Sequence, residues 1–258
     1  MRWKRLVSIV TLGLIMGSSA CGPTADKTQF EDFVRDYDVI IVKHCFPSSE
    51  IQADTGNPDP TSQTKTIENY KAIYRLLRSK FEENPNTIFI VWTLPPDHRL
   101  STNSNEAARA TQFSQWLKND FLTEGGAHPN MRVFDFRSIV MDPSTDFLKY
   151  DYEKSHTSGD SHPNDAANNV AGPLFAQCIV DSISDFAGNG PEAKAAKIIF
   201  LHHSTGGNVY DYPAKGVPAW FRDYNSDNGT DFEITDLWYP TGGQDNMPVD
   251  YYDLWLAK

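Results

Sequence analysis

The residues best suited to covalent chemistry lie in "KIIFLHHSTGGNVY", residues 197 to 210, where an apolar run, Ile198 to Leu201, leads into Ser204 between a histidine pair and a glycine pair. A chain presents a nucleophilic hydroxyl in this way, on a turn at the end of a strand. A serine hydroxyl does not ionise unaided near neutral pH, so an imidazole must take its proton, and a carboxylate commonly orients that imidazole. The 54 residues after Ser204 contain no histidine, so the base must sit beside the serine or upstream of it. "SGDSHPNDAANNV", residues 158 to 170, supplies an upstream pair: Asp160 and His162 stand two apart at the head of a helix, on a turn stiffened by Pro163. Ser204 as nucleophile, His162 as base and Asp160 as its orienter form the predicted catalytic set. Without that chemistry Ser204 is a small turn residue and Asp160 a helix cap. Of His202 and His203, one is expected to pack under the sheet edge and the other to line the site.

Helices and strands alternate ahead of these residues. The end of a helix leads into the strand Val39 to Val42, and a polar loop follows at residues 52 to 66. Ile67, Tyr70, Ile73, Tyr74, Leu77 and Phe81 recur at helical spacing, and "TIFIVWTLPP" reads as the next strand. "NEAARATQFSQWLKNDFL" predicts a second amphipathic helix, "MRVFDFRSIV" a third strand, and residues 165 to 186 a further helix. "AGNGPEAKAA", residues 187 to 196, is a connector, the nucleophile segment is the fourth strand, and "DFEITDLWYPTGG" is the fifth. Continuous apolar strands alternating with helices imply an α/β fold, a three-layer α/β/α sandwich on a mainly parallel five-stranded sheet.

"DSHPNDAAN" before an amphipathic helix resembles the last catalytic block of the SGNH, or GDSL-type, serine hydrolases, and "IIFLHHSTGGN" is similar to that family's first block. The blocks stand in reversed order. Moving residues 197 to 258 ahead of residue 28 restores the family sequence, so the resemblance implies a flavodoxin-like SGNH hydrolase fold in circularly permuted form. Exposed crossovers in a parallel sheet tolerate such new termini. The resemblance also implies an oxyanion hole formed by the amides of Ser204 and Gly242 or Gly243 in "PTGGQDN". The family's Gly-x-Asn-Asp block has no counterpart in "KHCFPSS", and Ser48, His44 or a backbone amide of that turn is left as the third donor. The Gly-Asp before the family's serine is His202 and His203 here, and Asp160 and His162 enclose a single residue where the family commonly has two.

The first 20 residues, with three basic residues and the apolar run Leu6 to Met16, read as an export signal, too short for a membrane span. "SSAC" resembles a lipobox, leaving open both lipidation of Cys21 and simple cleavage with secretion. Residues 21 to 27 form a tether, and residues 28 to 258 a single domain. Losing Arg2, Lys4 and Arg5 takes the formal charge from −11 to −14, an acidic balance that argues against nucleic acid as a partner. A membrane contact is expected only through a lipid anchor, and the protein is expected to be monomeric. Cys45 and Cys178 could form one disulfide after export. His44, Cys45, Asp160 and His162 match no compact zinc spacing, and the predicted chemistry needs neither metal nor organic cofactor. The expected function is an exported esterase acting on small-molecule or glycan O-acyl esters, acetylated carbohydrate foremost. The alternatives are an O-acyltransferase using the same residues and a non-catalytic glycan-binding surface lipoprotein.

Overall fold

The computed structural model describes residues 28–188, 193–241 and 244–257. The export signal, Cys21, the tether, the middle of the connector and the Gly242–Gly243 pair lie outside the described residues. Among the described residues the chain forms five strands and eight α-helices. The strands are β1 (Val39–Val42), β2 (Ile88–Trp92), β3 (Met131–Phe134), β4 (Ala195–His202) and β5 (Asp231–Trp238). They make one parallel sheet in the order β3-β2-β1-β4-β5.

The continuous apolar runs are explained by burial on both faces. Successive side chains of a strand point to opposite sides. Ile40, Val42, Phe89, Val91, Ile199 and Leu201 enter one core, while Val39, Ile41, Ile88, Ile90, Trp92, Ile198 and Phe200 enter the other. Helices α1 (Thr28–Asp36), α2 (Ile67–Glu82), α3 (Ser104–Asn119) and α8 (Pro248–Tyr251) cover the first core. Helices α4 (Phe136–Val140), α5 (Asp165–Ala187), α6 (Thr205–Tyr210) and α7 (Val217–Asn228) cover the second. The result is the three-layer sandwich expected from the pattern. On the α5 side the Trp92 ring packs against Phe134, Phe136, Phe175 and Phe200, with centroids 4.7 to 5.2 Å apart. A Cβ on Gly172 would lie 2.1 Å from the Tyr212 ring, so glycine is what lets α5 approach that loop.

Two local expectations are corrected. "MRVFDFRSIV" is a strand only to Phe134, because the Asp135 side chain accepts from the Ser138 N–H and Oγ and caps α4. The segment between Ser204 and β5, for which the pattern signals no element, holds α6 and α7. Pro218 stands in the first turn of α7 and Gly229 closes it in a left-handed conformation. Cys45 and Cys178 are both free thiols. Cys45 follows β1, whereas Cys178 lies about 20 Å along α5 from the helix start that faces the same sheet edge. No described helix is long and apolar enough to cross a membrane.

The C-terminal turn, Tyr252–Leu256, is π-helical and packs on α1 and α2. Trp255 lies 4.9 Å from Phe30 and 4.8 Å from Tyr251 between ring centroids, and its indole N–H donates to Tyr239 Oη at 2.6 Å. Trp255→Ala should therefore cost about 3–5 kcal/mol in urea denaturation, the range for deleting a buried large aromatic. A loss below about 1 kcal/mol would mean that this turn is only loosely docked.

Candidate active site

β1 and β4 are neighbours whose connections leave in opposite directions, β1 through α2 to β2 and β4 through α6 and α7 to β5. In an open parallel sheet a crevice forms beyond the carboxyl ends of such a pair, and ligands bind there. Ser204 follows β4 at this edge. The loop before α5 brings Asp160 and His162 to the same place, and the turn after β1, Phe46–Ser49, supplies a wall.

The local sequence explains the single-residue spacing of the pair. Asp160 and His162 project to one side of the turn, and Ser161 between them is fully buried on the other. Its hydroxyl accepts the His98 N–H at 2.9 Å and shares a 2.9 Å hydrogen bond with Ser101 Oγ. Asn164 caps α5 by accepting the Ala167 N–H and anchors the loop by donating to the carbonyls of Asp151 and Glu153. Glu153, whose side chain is fully buried, lies 3.0 Å from His98 Nε2, 2.9 Å from His156 Nδ1 and 3.1 Å from Arg99 Nε.

Within this frame the predicted triad is contiguous. His162 Nδ1 donates to Asp160 Oδ1 at 2.5 Å, and the same oxygen accepts the His162 backbone N–H at 3.0 Å. His162 Nε2 is hydrogen-bonded to Ser204 Oγ. Partial burial alone would raise the Asp160 pKa, but the His162 amide and imidazole hold the carboxyl below the ordinary carboxylate range. Asp160 is therefore ionised, and by accepting from Nδ1 it orients the ring with Nε2 toward Ser204 Oγ. The Phe46 ring meets the imidazole edge-on, centroids 5.0 Å apart.

Ser204 has φ 48° and ψ −101°, a left-handed conformation that L residues rarely adopt. These angles suit the second position of a type II′ turn, closed by the Gly206 N–H donating to His203 O at 3.0 Å. Glycine is required at 206, since a Cβ there would lie 2.4 Å from the His202 Cβ. The Ser204 N–H finds no acceptor among the described residues.

Other expected site residues fall elsewhere. Ser48 is fully buried with its hydroxyl donating to Met247 Sδ at 3.4 Å, so it is not presented to the crevice. His44 is enclosed between the rings of Tyr74 and Tyr251, with Nδ1 3.3 Å from Asn246 Oδ1, and burial drives its pKa down to about 3. The amides of Cys45 and Ser48 are taken by Asn246 O and Cys45 O. The Gly242 amide is not described, but Asn246 beyond it donates to Lys43 O at 2.9 Å and ties that loop to the end of β1. His202 packs under the edge against Phe200 with Nε2 3.0 Å from Asp236, while His203 donates to Pro240 O and stacks on Trp238. Trp238, 57% exposed, is the aromatic surface beside the Ser204 turn, whereas Tyr210, Tyr212, Phe221, Tyr251 and Trp255 are core. Sequence reasoning missed Phe46 and Trp238, whose only local signal is their place in the turn after β1 and at the end of β5. Among the described residues no three His, Cys, Asp or Glu side chains are grouped to hold a metal ion.

Two stability predictions arise here. Glycine tolerates the Ser204 backbone angles and alanine does not, so Ser204→Gly should be about 1 kcal/mol more stable than Ser204→Ala by thermal denaturation. Equal stabilities would show that the turn relaxes. Burial raises the Glu153 pKa, but the hydrogen bond to His156 and the charges of His98 and Arg99 outweigh it and hold the pKa below its ordinary value. A depressed carboxylate adds stability above its unfolded pKa of about 4.3, and that stability is lost as pH falls through the folded value. Glu153→Gln should cost about 1–3 kcal/mol at pH 7 and converge with the parent in acid; a constant difference down to pH 3 would count against this role.

Compared with models of protein families, with curated proteins and with solved structures, the chain shows no significant match to any of them.

Proposed function

We propose that the protein is an exported serine esterase that hydrolyses O-acyl esters, and that it is a circularly permuted member of the SGNH-type hydrolases. The observation that carries this reading is the unbroken chain from Asp160 through His162 to Ser204, at the crevice edge of a parallel sheet, with the serine on a strained turn. Strain of this kind persists where the surrounding structure over-determines it, and it clusters at active sites.

In the reaction Ser204 Oγ attacks the ester carbonyl as His162 Nε2 takes its proton, forming the Oγ–C bond and a tetrahedral oxyanion. The Ser204 amide faces that oxyanion, an interaction worth about 2.7–4 kcal/mol per donor in a well-formed hole. Collapse expels the alcohol, which takes the proton from the imidazolium. Water then attacks the acyl-enzyme as His162 accepts its proton, and the Oγ–C bond breaks as the imidazolium returns that proton to Ser204 Oγ, releasing the acid and restoring the hydroxyl. Asp160 stabilises the imidazolium in both halves without itself taking the proton.

The permutation is supported by strand order. Counted from β4, the sheet reads 2-1-3-4-5, a common doubly wound order, and the crevice falls between its first and third strands. The docking of Trp255 on Phe30 further supports it, because the turn after β5 then leads directly to α1. Acetylated carbohydrate is the preferred substrate class, with the exposed face of Trp238 suited to stack on a sugar ring. Export rests on the basic and apolar character of residues 1 to 20.

Hydrolysis of p-nitrophenyl acetate tests the reading. Ser204→Ala and His162→Ala should each lower kcat by about a thousandfold or more with the fold intact by circular dichroism, and a fluorophosphonate should label Ser204 in the parent. A parent that neither hydrolyses the ester nor takes the label would overturn the esterase and favour the glycan-binding lipoprotein.

A further inference from the structure

Lys43 ends the apolar run "VIIV" of β1 and is completely buried. Its backbone extends the ladder, the N–H donating to Leu201 O at 3.1 Å. Its ammonium donates to His203 O at 3.2 Å, across 160 residues of sequence. That carbonyl oxygen belongs to the peptide whose nitrogen is the Ser204 amide, and it also accepts the Gly206 N–H that closes the nucleophile turn. In a trans peptide the C=O and N–H point in opposite directions and share one conjugated system. A cation on the oxygen therefore draws charge from the nitrogen and strengthens the N–H as a donor.

We propose that Lys43 is a positioning residue of the esterase: its ammonium holds the His203–Ser204 peptide in the strained turn and polarises the Ser204 N–H toward the oxyanion. This role rests on the esterase reading above. It accounts for a buried cation that stability alone does not explain. Among the described residues, the titratable groups facing Lys43 are His44 and Cys45 from its own strand end and His202 and His203 from the end of β4. None of these is a carboxylate. Burial lowers the Lys43 pKa to about 8, against a small opposing influence of Cys45. A lysine with a depressed folded pKa opposes folding while it is charged, so stability rises as pH climbs from about 8 toward its unfolded value near 10.4. A methionine of similar length should hold the fold at least as well at pH 7.

The test is steady-state hydrolysis of p-nitrophenyl acetate from pH 6 to 9.5 by the parent and by Lys43→Met, with urea denaturation of both. At pH 7 the variant should lose roughly tenfold or more in kcat with KM little changed and stability equal or higher, a smaller effect than deleting a donor outright. In the parent, kcat should fall as pH rises through about 8, where the ammonium loses its charge, and this fall should be absent from the variant. Unchanged kcat in the variant, or loss of activity only in proportion to lost stability, overturns the role of Lys43 and leaves the esterase standing. If the variant does not fold, the parent profile decides alone: a kcat that stays level from pH 7 to 9.5 overturns it. A parent that is inactive and unlabelled at Ser204 overturns the esterase, and the Lys43 role with it.

Discussion

The parallel pairing of β1 with β4 is the constraint on which the rest of the structure depends. Val39 to Val42 lie in register with Ile198 to Leu201, segments 159 residues apart in the chain. Closing so long a loop is less costly than its length suggests, since each doubling adds only about 0.6 kcal/mol. The reward is large, because the eight side chains of this pair are buried on both faces of the sheet. The pairing also creates the point at which connections diverge. The crevice, the Ser204 turn after β4 and the buried position of the lysine after β1 all depend on these two strands being neighbours.

Around that crevice the structure concentrates features that oppose stability. Ser204 sits at a positive φ, Lys43 is a buried ammonium without a carboxylate partner among the described residues, and the His44 ring is buried with Nε2 unpaired. Each costs free energy that a purely structural edge of a sheet would not need to spend. The offset lies in the two cores, in the aromatic cluster around Trp92 on one side and the Phe30, Phe81, Phe89 and Trp255 group on the other. Rigid support reaches the triad through polar anchors as well. Ser161, Asn164 and Glu153 fix the loop that carries His162, so the imidazole is held by groups that do not face the crevice.

Much of this was legible in the residues because its causes are local. "VIIV", "IFIVW" and "IIFL" are apolar without interruption because both faces of a central parallel strand are covered, and composition alone records that. The helical spacing of Ile67 to Phe81 records a single buried face. The Asp160 and His162 pair is joined within its own short turn, so the contact between carboxylate and imidazole could be read from spacing alone. Where two local rules compete, the pattern misled: Phe134 and Phe136 alternate as in a strand, yet the Asp135 cap turns the chain into α4.

What the sequence by itself determined is thus the class of fold and the extent of most elements, and it already named Ser204, His162 and Asp160 as the proposed triad. Which strands are neighbours, that His162 meets Ser204, that Ser48 and His44 turn toward buried partners, and that Lys43 reaches the carbonyl of His203 were decided only by the tertiary structure. Side-chain periodicity reports whether a face is buried, but not against what. The partner of a buried group is chosen by packing among segments far apart in the chain, and no local pattern carries that information.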